Sequence, residues 1–437
     1  MLKKELSNKN FYNYLNYFLF VLIGLTFLFG RSFMGLYLFG YRFGELLVGF
    51  SLLFWFVALG IIISKKYNFS LSRPTILTIF LVPLSFLIVA LVRQNSFLST
   101  YTYKSSSYIW TLSIFFLGVL IYDNFEFDKF LIYLLNPILV IAYLFQVFAI
   151  PEFISNFFTT LGDKFEPHKG SDLTLLFVVT FMLNGKFFRT NKNYYAFLSI
   201  FSALYLPFLY FKSRASFIAV FLFLIYEIIK NRKLLMNQLW LFKGILVISF
   251  SILILLQSVF WVRQSGIIKV YEARENVVSL VKYRTQTTIE DAPSLFWISD
   301  GRLYSSDGNL NWRMDIWQDI ILDLNNNDKT FLGYGYDGII PIMEWHNGYR
   351  LGLDGLNEHV HNNWFNIYAR GGLFQIFIFL SFYFFLIKNY RNRFKNLNIL
   401  IFIIPLLFVS FFDASMENAH FPILYYFFLG RNYILGQ

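Results

Sequence analysis

The sequence contains no cysteine, which excludes disulfides and thiolate metal sites. Charge is scarce as well. Only 14% of the 437 residues are Asp, Glu, Lys or Arg, where a soluble domain carries about a quarter. There is no internal repeat, no linker and no low-complexity tract. No small-residue cleavage site follows the N-terminal Lys3, Lys4 and Lys9, so the first apolar run is expected to stay as a signal-anchor. Histidine is rarer still. Of the five, three (His346, His359 and His361) fall in one polar stretch just before an apolar run.

What is abundant is hydrophobic. Apolar residues make up 57% of the chain, and the mean hydropathy is +0.53, the composition of a polytopic membrane protein. The 57 Phe and 29 Tyr fit an AT-rich coding bias better than a special aromatic function. A span needs about 20 mostly apolar residues. Twelve are expected, near 14–29, 43–63, 74–92, 108–122, 130–150, 173–183, 194–211, 215–229, 239–262, 364–387, 397–412 and 421–429.

Net charge is +11, which in a soluble protein would suggest nucleic acid as a partner. Here the basic residues alternate from loop to loop. With the N-terminus in the cytoplasm, inside segments carry Lys65/Lys66/Arg73, Lys186/Arg189/Lys192, Lys230/Arg232/Lys233 and Lys388/Arg391/Arg393/Lys395. Short outside segments carry only pairs such as Arg93/Lys104 or Lys212/Arg214. The positive-inside rule therefore accounts for most of the charge, and no nucleic-acid partner is implied. The expected organisation is an all-α polytopic protein. Residues 1–262 hold spans one to nine, 263–363 form one large, partly helical outer loop, and 364–437 hold spans ten to twelve.

In that loop Trp312, Ile316, Ile320 and Leu324 recur every four residues, predicting an amphipathic helix capped by Asn309 or Asn311. Gly333-Tyr334-Gly335 suits tight turns and is a weak signal for a phosphate cradle. Three constellations bear on chemistry. Lys212-Ser213-Arg214 opens span eight, with Ser213 as N-cap. A helix N-terminus beside a guanidinium suits a phosphate or pyrophosphate, and snorkelling to headgroups is the bland alternative. His359 and His361 stand where the loop meets span ten, placed for proton transfer to or from a hydroxyl. With Glu358 or Asp354 they match no standard metal motif, so no metal is expected. Of the loop arginines 263, 274, 284, 302, 313 and 350, most should be solvated or paired with acids, leaving one or two for phosphate.

With these residues in place the chain resembles the O-antigen ligase/polymerase family of bacterial membrane glycosyltransferases. The resemblance rests on Ser213-Arg214-Ala215, on Arg313…Trp317, on Gly333-Tyr334-Gly335, and on His361-Asn362…Trp364…Gly371-Gly372-Leu373. Their order and their placement around the long loop agree with the family pattern. Ala215 stands where Gly is usual, and Asn363 is an extra residue before Trp364. The resemblance implies a fold similar to C-type glycosyltransferases and catalysis without metal or other cofactor. It implies an undecaprenyl-pyrophosphate-linked glycan as donor, an acceptor hydroxyl at the periplasmic face of the inner membrane, and a chain-length regulator and flippase as candidate partners. On that pattern His361 and Arg214 are catalytic. Arg313, His359, Asn362, Lys212 and Ser213 contact substrate. A polymerase is favoured over a ligase, and a lipid-linked glycan transporter is less favoured, because the spans show neither repeat symmetry nor midplane charge.

Overall fold

The computed structural model describes residues 9–64, 71–97, 99–121, 125–148, 150–162, 165–188, 192–230, 296–299, 301–345, 349–351 and 357–436. Helices dominate. They run in order α1 (Lys9–Met34), α2 (Phe43–Ile63), α3 (Arg73–Val92), α4 (Thr100–Ser105), α5 (Ser107–Trp110), α6 (Ile114–Leu120), α7 (Phe125–Val147), α8 (Glu152–Leu161), α9 (Gly170–Phe188), α10 (Lys192–Lys212) and α11 (Arg214–Lys230). After these come α12 (Gly308–Asn326), α13 (Pro341–Glu344), α14 (Asn363–Phe394), α15 (Leu400–Ser410) and α16 (His420–Leu435). Among the described residues there are also two short hairpins, β1–β2 at Tyr37–Leu38 and Tyr41–Arg42, and β3–β4 at Phe296–Ser299 and Arg302–Ser305.

Among the described residues six helices are long and apolar enough to cross a membrane: Tyr14–Met34, Phe43–Ile63, Arg73–Val92, Phe127–Val147, Gly170–Phe188 and Asn363–Phe394. Their length and composition make this a membrane protein. The expected span at 239–262 lies outside the described residues. The run at 108–122 is not one helix but α5, a 3-10 turn at Thr111–Ser113 and α6.

The two shortest apolar runs, 173–183 and 421–429, belong to the most enclosed helices, α9 and α16, which are buried along almost their whole length. They read as short because paired polar groups interrupt them. Arg431 of α16 is 1% exposed, donates to the Asp128 carboxylate of α7 and gives a 2.9 Å bond to the Ile121 carbonyl. Lys186 reaches the same carboxylate at 2.8 Å. These three charges fall just beyond the expected runs at 130–150, 173–183 and 421–429, near the ends of their helices. They are tolerated there because they pair with one another.

α16 packs chiefly on α6, and two glycines set the distance. A Cβ on Gly118 would lie 2.1 Å from the Phe427 carbonyl oxygen, and one on Gly430 would lie 2.2 Å from that of Phe115. No larger residue fits either position, so the two backbones touch, as at small-residue crossings in membranes.

The polar segment has its own core. Ile316, Ile320 and Leu324 of α12 are wholly buried against Ile340, Ile342, Met343, Val360 and Ala369, the face predicted by the period of four. The cap is Asp307, not Asn309 or Asn311. Its carboxylate accepts from the Leu310 N–H at 2.9 Å, while Asn311 Oδ1 is spent on the Ser305 N–H. A carboxylate also suits the positive end of the helix dipole.

This subdomain docks through Gly333-Tyr334-Gly335. The Tyr334 and Gly335 N–H groups donate to the Ala369 and Arg370 carbonyls at 2.7 and 3.0 Å, and Leu373 and Phe374 donate back to Thr330 and Phe331. α14 breaks its helical geometry at Gly372 (φ +64, ψ −167) to make those bonds. The glycine motif is thus a docking segment, in keeping with the turn reading and not with a phosphate cradle.

Candidate functional site

Ser213 is the single residue between α10 and α11. Its Oγ accepts from the Ser216 N–H at 3.3 Å, the N-cap bond expected of it. Lys212 donates to Gln146 Oε1 and lies 5.5 Å from the Phe208 ring. A Cβ on Gly170 would sit 2.5 Å from Ser213 Cβ, so the first turn of α9 presses against this cap.

Arg214 points away from the bundle, with 73% of its side chain exposed, and binds Asp307 at 2.8 Å. The same Asp307 caps α12, so one carboxylate links the start of α11 to the start of the loop helix. Such an exposed pair is worth about 0–1 kcal/mol, little enough for a multiply charged anion to displace Asp307.

Arg313 lies in the second turn of α12. It donates through Nη1 to the Phe412 carbonyl, and its Nε is buried with no partner among the described residues. Burial pushes its pKa down, while Asp413 and Asp307 nearby push it up. Arginine stays protonated under any such shift of ordinary size. Asp413 accepts from Ser171 Oγ at 2.5 Å and lies 3.7 Å from Lys169 Nζ.

His361 has a left-handed backbone, φ +55. A histidine held there costs of order 1–3 kcal/mol, which surrounding contacts must offset. Its ring packs on Trp312 with centroids 5.1 Å apart, and Nε2 is 2.9 Å from Asn357 Oδ1. Asn362 caps α14, its Oδ1 accepting from Trp364 and Phe365 N–H at 2.9 and 3.2 Å. Its Nδ2 is buried without a partner among the described residues. Trp317, one turn beyond Arg313, donates to the Val360 carbonyl at 2.8 Å and stacks on Phe365. The Arg-x-x-x-Trp spacing thus fixes the histidine segment against the helix that carries Arg313.

His359 Nδ1 lies 2.5 Å from Glu417 Oε2, a carboxylate that holds the ring in place. Glu417 and Asp413 belong to the turn between α15 and α16, which the sequence reading did not single out. The signal was two carboxylates and His420 between apolar runs in a chain poor in charge.

The placements form one connected set at the polar end of the bundle. Arg214 binds Asp307, whose charge also acts on Arg313; Arg313 contacts Phe412 beside Asp413; Glu417 of the same turn holds His359; and His361 packs on Trp312, next to Arg313. Arg302 and Arg350 are not part of it, because both are taken up by Asp315 and Asp319. Arg263, Arg274, Arg284, His346 and Asp354 lie outside the described residues.

Behind this set is a buried group that sequence reading also missed. His420 Nε2 is 2.9 Å from Asp172 Oδ1, and Asp172 Oδ2 accepts from the Lys169 N–H at 3.0 Å. His168 Nε2 donates to the Phe27 carbonyl at 2.8 Å, and burial lowers its pKa. These bonds tie the first turns of α9 and α16 together under the Asp413 turn. Among the described residues no three His, Asp or Glu side chains are grouped to hold a metal ion.

Residues 195–380 match the family model described as O-Antigen ligase. That stretch contains Lys212–Arg214, Arg313, the glycine docking segment, His359, His361 and the Gly371-Gly372 break, the motifs on which the resemblance rests. The match supports assignment to the O-antigen ligase/polymerase family. A search of curated proteins gives no match.

Proposed function

We propose that this membrane protein of the O-antigen ligase/polymerase family is an O-antigen polymerase acting at the periplasmic face of the inner membrane. It transfers a glycan from undecaprenyl pyrophosphate to a hydroxyl of another lipid-linked repeat unit. The observation that carries the reading is the joining of Arg214, Arg313, His359 and His361 at one polar rim of an apolar bundle. In the step, the glycosidic C1–O bond to pyrophosphate breaks and a C1–O bond to the acceptor forms. The lipid pyrophosphate leaves with the electron pair, its charge offset by Arg214 and Arg313, with Lys212 and the α11 N-terminus nearby. The acceptor proton passes to His361, and His359, held by Glu417, orients the acceptor sugar. No step calls for a metal.

The aromatic-rich, idiosyncratic sequence fits a polymerase. A ligase that uses lipid A-core as acceptor is the second reading, favoured by the description of the matching family model. The lipopolysaccharide ladder of a deletion strain decides. A single repeat on the core is the expected result. Bare core with accumulating lipid-linked polymer would mean the ligase, and an unchanged ladder would reject both.

The orientation rests on the alternating basic residues. In intact cells, an impermeant maleimide should label Asn326→Cys and spare Asn392→Cys, both exposed positions. The reverse pattern would invert the topology and take the mechanism with it.

A further inference from the structure

The far end of α14 carries a feature that glycan transfer does not use. Beyond the break at Gly372 the helix continues to Phe394, which puts its last turn about 33 Å from the break. There Phe384, Lys388, Arg391 and Lys395 follow one another at spacings of four, three and four, which places them on one helical face. They line, with Ile387, Asn392 and Leu397, a cavity of about 700 Å³ that is open on one side. Lys395 takes a left-handed conformation (φ +56) and turns the chain so that Leu397 closes one side.

The lining has two chemical halves. Phe384, Ile387 and Leu397 form an apolar floor, with Phe384 60% and Leu397 41% exposed. Lys388, Arg391 and Lys395 form the rim, and no carboxylate lines the cavity. Lys388 lies 5.9 Å from the Phe384 ring, and none of the three cations has an acidic partner among the described residues. Three converging on a concavity with an apolar floor match a molecule that is anionic at one end and apolar at the other.

The geometry points to a binding site for an anionic phospholipid. Its phosphate is held by the Arg391 fork with Lys388 and Lys395, and one acyl chain lies along Phe384 and Ile387. The proposal does not depend on the transferase reading, because the cavity shares no residue with the rim that carries Arg214 and His361.

The test uses the full chain purified in detergent and titrated with phosphatidylglycerol or phosphatidylcholine, read by native mass spectrometry. Wild type should retain phosphatidylglycerol in preference to phosphatidylcholine. Each basic residue near an anionic lipid contributes about fivefold in affinity, so K388Q/R391Q/K395Q should lose roughly a hundredfold. R391Q should weaken retention, while R393Q, equal in charge but outside the cavity, should not. Equal effects of R391Q and R393Q would reduce the feature to general surface charge and overturn the proposal. So would equal retention of the two lipids, or displacement of the lipid by millimolar inorganic phosphate. Melting curves in phosphatidylcholine alone should coincide for wild type, R391Q and the triple variant, and a lowered curve for R391Q would assign these side chains to fold stability instead.

Discussion

His361→Ala is expected to lower glycan transfer by about 10²–10⁴, the usual cost of removing a general base. Arg313→Ala, which removes a partly buried guanidinium from the leaving group, should cost a similar ~10²–10³. Arg214→Lys should also fail if the pyrophosphate is held by two parallel N–H groups, because an ammonium cannot supply a planar fork. None of these changes should prevent folding. Arg214 is exposed, and the other two side chains are half-buried at the polar rim. His359→Ala should do less harm than His361→Ala. The measurement is complementation of a deletion strain, with membrane levels checked by blot. Normal polymer from both His361→Ala and Arg214→Ala at wild-type levels would sink the site. Failure of His359→Ala alone would move the base to the ring held by Glu417 and leave the rest standing.

Gly372→Ala is expected to lose most of the folded protein. Its backbone (φ +64, ψ −167) lies in a region essentially reserved for glycine, at a cost of order 1–3 kcal/mol for any other residue. A Cβ there would also be 2.2 Å from the Phe331 carbonyl oxygen, which belongs to the backbone and cannot swing aside. The two effects together take a large part of a typical stability of about 5–15 kcal/mol. Gly301→Ala is the control. It has φ +73, with no described atom within 4 Å of the added methyl, so it carries conformational strain without the clash. Membrane abundance and melting in detergent should fall steeply for Gly372→Ala and slightly for Gly301→Ala. Equal behaviour of the two would show that docking at this break does not hold the subdomain in place.

Much of this was legible one element at a time. The period of four at Trp312, Ile316, Ile320 and Leu324 gave the buried face of α12, because amphipathic spacing is a local property. Ser213 was readable as a cap for the same reason. Pairings between distant segments were not. Nothing local in Gly333-Tyr334-Gly335 shows that its N–H groups meet the Ala369 and Arg370 carbonyls, nor that α14 opens at Gly372 to receive them. The Asp413–Glu417 turn was overlooked because its carboxylates gain meaning only beside Ser171 and His359. Arg431 shortened an apolar run in the sequence, but Asp128, which neutralises it, lies 303 positions away. The cap of α12 was misplaced because Asn309 and Asn311 are both fair N-cap residues, and the choice fell to Asp307, which Arg214 also binds.

The crossing of α6 and α16 has a consequence for how the protein is made. Ile121 and Arg431, joined across that crossing, are 310 positions apart. At about 5–20 residues per second, the ribosome reaches the second partner roughly 15–60 s after the first. Until then the Gly118 notch, shaped for the Phe427 backbone, has nothing in it, and Asp128 waits in the membrane without Arg431. The nascent chain must pass that interval with its centre open to lipid or to the insertion machinery. Biogenesis, and not the finished fold, is then the stage at which substitutions in either helix should tell most. Their first symptom would be degradation of newly made chains and not a lowered melting point of the survivors.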